Sequence, residues 1–158
     1  MESLDPLALD LPVLAALAGT AANDHLLMRL HDAGFAGIRV SHGYVIQLLV
    51  DARPTVGELA ERLGVSQQAV SKTVAELESL GVVERTADER DRRVTRVALT
   101  ARGQAVLDRT RSERQALEAA VHREVGDLAA AKQALAALLH HSGGLAAVQQ
   151  RRAKPPSP

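Results

Sequence analysis

The sequence predicts a mostly α fold carrying one small β-hairpin, and three observations predict it. Apolar residues recur at helical spacing through most of the chain, in segments bounded by capping residues and glycines. After Gly81 the apolar period drops from helical to two, for the length of two short strands. Phe35 and Tyr44 are the only aromatic residues, so the core has to be built from Leu, Val and Ala, which suits close helix–helix packing better than large layered sheets.

Residues 1–10 read as a polar lead-in, and Pro12 is acceptable in the first turn of a helix. That helix runs to Ala33, with Leu14, Leu17, Ala18 and Ala21 at helical spacing, then Leu26, Leu27 and Leu30, and Gly34 as its C-cap. Ser41 is expected to cap a second helix reaching about Val50, and Pro54 closes that unit. Thr55 and Glu58 form a T-x-x-E capping box that opens a third helix, with Val56, Leu59 and Leu63 along one face. Gly64 breaks it, Ser66 caps a fourth helix over 66–80, and Gly81 ends that one. Strands are expected at 82–85 and 94–99, the second with Val97 and Leu99 on one face and Arg96 and Ala98 on the other, joined by a loop over 86–93. Thr100 caps a long helix to about Glu124, spanning about 40 Å at roughly 1.5 Å per residue. Its middle, 108–115, has no apolar side chain and is expected to be a solvated bridge between two packed regions. Asp127 caps a last Ala- and Leu-rich helix ending near His141, and the basic, proline-rich tail 149–158 is expected to be disordered.

Composition narrows the function classes. With no cysteine there is no disulfide, thiol switch or thiolate zinc site. The apolar runs, such as 135–139, are far too short to cross a bilayer, and the N-terminus lacks the basic start and apolar stretch of a signal peptide. A cytoplasmic protein without a membrane partner is expected. No nucleophile motif, phosphate loop or paired-carboxylate arrangement is present, so the reading is of a non-enzyme without a cofactor. Net charge is zero, yet Arg85, Arg90, Arg92, Arg93, Arg96 and Arg102 crowd one segment, and a local basic patch suffices for phosphate contact.

The third and fourth helices, joined at Gly64-Val65, have the build of a helix-turn-helix. With Val65, Val70, Val74 and Leu77 inward, the opposite face of the fourth helix shows Gln67, Gln68, Ser71, Lys72 and Ala75. Ser66, Gln67, Gln68, Ser71 and Lys72 are the candidate contacts to a duplex, since Gln pairs bidentately with adenine and Lys with phosphate or guanine. Any amphipathic helix has a polar face, so the neighbouring hairpin carries weight: its arginine-dense loop can enter a narrow minor groove. Arg85, Arg90, Arg92 and Arg93 are the candidate contacts there, and Asp91 is expected to pair with Arg93 and buttress the loop. The alternative for the loop is a solvated charged turn.

These residues carry a resemblance. Thr-Val-Gly-Glu-Leu-Ala-Glu-Arg-Leu-Gly-Val-Ser (55–66), Val-Glu-Arg (83–85), Asp-Arg-Arg (91–93) and Leu-Thr-Ala-Arg-Gly (99–103) look like the winged-helix core of the MarR (multiple-antibiotic-resistance-regulator) family, and the flanking helices fit in number and order. The resemblance implies a winged helix-turn-helix DNA-binding domain over 37–103 and a dimerisation region built from 11–36 and 104–148. It implies a homodimeric transcriptional regulator, expected to be a repressor, that binds a pseudo-palindromic double-stranded operator and releases it when a small-molecule effector acts. The chain departs from the family at Ser41-His42-Gly43-Tyr44, where relatives often carry proline or tryptophan, and its lack of cysteine excludes peroxide sensing. The alternative function is a winged-helix protein-interaction module, which accounts for the fold but not for the arginine loop.

His31, Arg39, His42 and Tyr44 gather beside a helix junction and are the candidate effector pocket; the alternative is that they are ordinary satisfied or solvent-exposed side chains. His140 and His141 are adjacent and do not share a helix face, so no metal site is expected from them with His122.

Overall fold

A computed structural model of the chain describes residues 5–144. The expected disordered tail, and positions 145–148 of the expected dimerisation region, lie outside the described residues. After a short 3-10 turn at Pro6–Ala8 come α1 (Leu11–Asp32), α2 (Val40–Leu48), α3 (Val56–Leu63), α4 (Gln67–Ser79), β1 (Val83–Ala87), β2 (Thr95–Leu99), α5 (Ala101–Val125) and α6 (Ala129–His141).

The helix boundaries follow from local chemistry. Asp10 opens α1 by accepting from the Val13 N–H at 3.0 Å. The capping box of α3 is complete: Glu58 N–H donates to Thr55 Oγ1 and Thr55 N–H donates to the Glu58 carboxylate. Ser66 caps α4 through Ala69 N–H, and Thr100 caps α5 through Gly103 N–H. Gly64 turns the chain between α3 and α4 at φ +67°, a left-handed conformation that costs a glycine nothing. Asp127 accepts from Ala129 N–H at the start of α6. The start of α2 differs from expectation. It begins at Val40, with Ser41 inside the helix, and the Arg39 N–H is satisfied by Nδ1 of His42. A buried imidazole does the work expected of a hydroxyl.

The core lies where α2, α3, α4, the hairpin and the first turns of α5 meet, and it is entirely aliphatic. Leu48, Leu59, Val74, Leu77 and Val97 are almost fully buried, and Leu30 and Ile38 join them from the end of α1 and the loop after it. Val65, expected inside, is 39% exposed, because it sits on the outer corner of the α3–α4 turn. The strands pair antiparallel from Val83↔Leu99 to Ala87↔Thr95, so Thr86 and Ala87 belong to β1 and the loop is shorter than expected. The two faces of β2 do not divide into one buried and one exposed: Val97 and Ala98 are both buried. β2 is the inner strand; Val97 N–H donates to Pro54 O, and Ala98 borders the 49–53 segment and Gln104 on its other side.

Two long-range polar ties fix the helices around this core. Arg102 donates to Leu80 O at 3.0 Å and Gly34 O at 2.8 Å, and its guanidinium lies 5.1 Å from the centre of the Phe35 ring. Segment 108–115 of α5 is largely exposed, with Glu113 as its one buried residue. Glu113 is buried against α1, where Arg29 (3.3 Å) and Arg109 (2.6 Å) neutralise it. By contrast α6 buries no residue at all, and α1 exposes Leu11, Val13 and Leu17.

Candidate nucleic-acid interface

The α3–turn–α4 unit presents the N-terminal half of α4 outward. Val70, Val74 and Leu77 anchor it from below, which leaves Gln68, Lys72 and Ala75 exposed in one stripe at i, i+4 and i+7, with Ser71 half-buried beside them. Ser66 is committed to its cap. Gln67 leans back across the turn: its amide nitrogen lies 3.4 Å from the position a Cβ on Gly57 would take, so the absence of a side chain at 57 makes its seat.

The hairpin stands beside α4 and is tied to it. Arg85 pairs with Glu78 at 3.3 Å and reaches Ser71 O at 3.5 Å, so it lies at the root of the hairpin rather than at its tip. Its loop is organised by two aspartates. Asp88 Oδ1 accepts from the N–H groups of Arg90 (2.8 Å) and Asp91 (3.2 Å), while its other oxygen pairs with the Arg96 guanidinium. Arg96 in turn donates to Arg53 O at 2.9 Å, which fastens the loop to the chain ahead of α3. These partners, Arg96 first, hold the Asp88 carboxyl down at about 2. Asp91 takes Arg93 in a two-pronged pair at 3.0 and 3.1 Å, as expected, and that pair holds the Asp91 carboxyl below its ordinary range. Arg90 and Arg92 are exposed and have no side-chain partner among the described residues. Of the four arginines expected to contact a duplex, two are thus uncommitted cations on a stiffened loop and two are already paired.

Sequence reasoning missed Asp88 and Arg96 as loop organisers. The signal was present in the Asp at a strand end ahead of a polar turn, a setting in which an Asp side chain captures N–H groups two and three residues on.

The four residues of the candidate effector pocket are not brought together. A cavity of about 380 Å³ opens between α1, α2 and α5, lined by Leu26, Leu27 and Leu30, by Arg39 and Tyr44, and by Thr110 and Arg114. Arg39 and Tyr44 face it. His31 is turned away to Ile38 O at 3.1 Å, and His42 is buried against Glu76 of α4. Among the described residues no group of three or more His, Asp or Glu is placed to hold a metal ion, and no helix is long and apolar enough to cross a membrane.

Residues 36–94, which hold the α3–α4 unit and the hairpin loop, match the model of the MarR family. These residues are similar to the MarR family over that span. The transcriptional regulator AdcR of Streptococcus pneumoniae serotype 2 is 34% identical over 80 residues, 51% of this chain and 55% of that one, so the match spans about half the length of that relative. Among solved structures, YusO of Bacillus subtilis superimposes with a TM-score of 0.61 at 24% identity, covering 92% of this chain and 98% of that one. A mutant of S. aureus MepR bound to an oligodeoxyribonucleotide superimposes with a TM-score of 0.61 at 18% identity, covering 87% of this chain and 99% of that one. These likenesses establish the fold alone, a winged helix-turn-helix in which α4 is the second helix of the motif and the hairpin is the wing.

Proposed function

We propose that this chain is a sequence-specific DNA-binding transcriptional regulator of the cytoplasm, a homodimeric repressor that reads a pseudo-palindromic operator and is released by a small molecule. The observation that carries the reading is the pairing of an uncharged-to-cationic stripe on α4 with a wing whose loop is stiffened by Asp88 and Asp91 while Arg90 and Arg92 stay uncommitted. Short amide and hydroxyl side chains fit a major groove, and arginines on a narrow ribbon fit a minor groove. The uncovered α6 and the exposed leucines of α1 supply an apolar face for a second copy, which brings a second recognition helix. The cavity, mostly aliphatic with Arg39, Arg114 and Tyr44 on its wall, suits a small anionic or aromatic effector.

The test is a mobility-shift assay on short duplexes drawn from a random pool, repeated at rising salt. Tight binding should weaken steeply with salt, and Arg92→Ala should weaken binding to every duplex and reduce the salt slope by about one. Gln68→Ala should instead change base preference, by about 1–3 kcal/mol at the affected position. A chain that selects no duplex from the pool is a protein-interaction module, and the proposal fails.

A further inference from the structure

The first helix of the winged domain, α2, is tied to α4 by a polar cluster of which His42 is the buried member. His42, 1% exposed, sits on α2 with both ring nitrogens engaged. Nδ1 lies 3.3 Å from the Arg39 N and accepts from its N–H, which assigns the ring proton to Nε2; Nε2 lies 3.3 Å from a Glu76 carboxylate oxygen and 3.3 Å from Arg39 Nε. The same oxygen takes the Arg39 guanidinium, whose Nη2 lies 3.0 Å from Nε2. A neutral imidazole meets both the Arg39 N–H and the Glu76 carboxylate. A second proton would sit on Nδ1, facing the Arg39 N–H donor, and would place a cation directly against the Arg39 guanidinium.

We propose that Arg39, His42 and Glu76 form a proton-operated latch: when His42 takes up a proton, α2 loses its first N–H tie and the Arg39 guanidinium, now facing a second cation, is driven from its place between the ring and Glu76 of α4, and affinity for duplex DNA falls. The proposal rests on the DNA-binding reading above. The charged groups acting on the ring are Arg39, from the segment ahead of α2, and Glu76, from α4; α1 and α3 bring the aliphatic Leu30, Leu59 and Leu63 to this core, and Lys72 acts on Glu76 from one turn earlier in α4. Burial, the largest influence, pushes the His42 imidazolium below its ordinary 6.5. The sign follows from that direction. Above 6.5 the neutral ring is the ordinary state of folded and unfolded chains alike and the latch is closed; as pH falls below 6.5, protons favour states in which His42 is released. Glu76 is one-third exposed, so protons have a route to the cluster.

The experiment measures fluorescence anisotropy of a labelled duplex, selected by the protein itself from a random pool at pH 7.5. Binding is titrated at pH 7.5 and pH 5.5 at constant ionic strength, for the wild type, His42→Gln and His42→Asn. Wild-type affinity should fall by about tenfold, the size of one pH unit of proton linkage, while the two non-titrating variants hold steady or tighten. Nitrogen-15 NMR of the wild type, which needs no variant to fold, should find the Nε2–H tautomer of His42 at pH 7.5 and its protonation over the range in which affinity is lost. The latch is overturned if wild-type affinity is unchanged or rises in acid, if the variants weaken with the wild type, if the ring carries its proton on Nδ1, or if circular dichroism shows the whole chain unfolding by pH 5.5. Failure to select any duplex at pH 7.5 instead overturns the DNA-binding reading, and the latch with it.

Discussion

Gly103 occupies the third position of α5, directly under the turn that joins α4 to β1. Its own N–H is capped by Thr100, whose hydroxyl also donates to Gly81 O at 2.6 Å. A Cβ there would drive into the Val82 carbonyl oxygen and come within 3.0 Å of Leu99. Alanine is ordinarily better than glycine inside a helix by about 0.5–1 kcal/mol. Here the collision is with backbone, which cannot rotate away, so overpacking at about 1–3 kcal/mol should win. Gly103→Ala should therefore lower the urea midpoint, measured by circular dichroism, rather than raise it. The residues that act through neighbours in sequence, namely Thr55, Glu58, Ser66 and Thr100, could be read from the sequence because a cap is a local transaction. His42 and Glu113 could not. Their partners lie 34 and 84 residues away, and a buried charge looks the same as a solvated one until the chain closes around it. That is why His42 was grouped with a pocket it does not line.

At the scale of elements, the wing is stiff for reasons that reside in its loop. A two-stranded ribbon is marginal on its own, and Asp88 compensates by holding two loop N–H groups and Arg96 together. Asp88→Ala should leave the helices intact and release Arg90 and Arg92 into a mobile loop. Duplex affinity should drop about tenfold by the added cost of ordering the loop, and amide exchange should quicken in 88–94 while α4 is unchanged. Equal exchange in the two proteins would refute this account of the wing. Helix boundaries were legible because glycines and capping side chains mark them. The strand pattern was not, since a period-two reading assumes one wet face, and β2 is covered on both. The polar stretch of α5 hides one exception for a related reason: Glu113 is spent on Arg29 of α1 rather than on water.

At the scale of the whole molecule, the chain is two unequal parts. One end has an aliphatic core, whereas α6 has thirteen residues and no buried side chain, and Val121 and Val125 of α5 stay exposed beside Leu11, Val13 and Leu17 of α1 as apolar surface without cover. Such a surface is expected to be covered by its own copy. Sedimentation at micromolar concentration should give a dimer, and Leu135→Lys should shift it toward monomer without unfolding the winged domain. A monomeric wild type would remove the basis for two-site reading of an operator.

The double grip of Arg102 on Leu80 and Gly34 gives the recognition helix a fulcrum. Its C-terminal end is tied to the end of α1, so any tilt of α4 about that point is felt most at the far tip, which carries Ser66, Gln68 and Lys72. Thirteen residues make an arm of about 20 Å, and a swing of about 5° sweeps the tip by nearly 2 Å. Glu76 lies one turn from the fulcrum, where the smallest displacement produces the largest sweep at the tip. A contact that shifts there by a fraction of an ångström is geared to the end of the helix that carries the proposed base contacts.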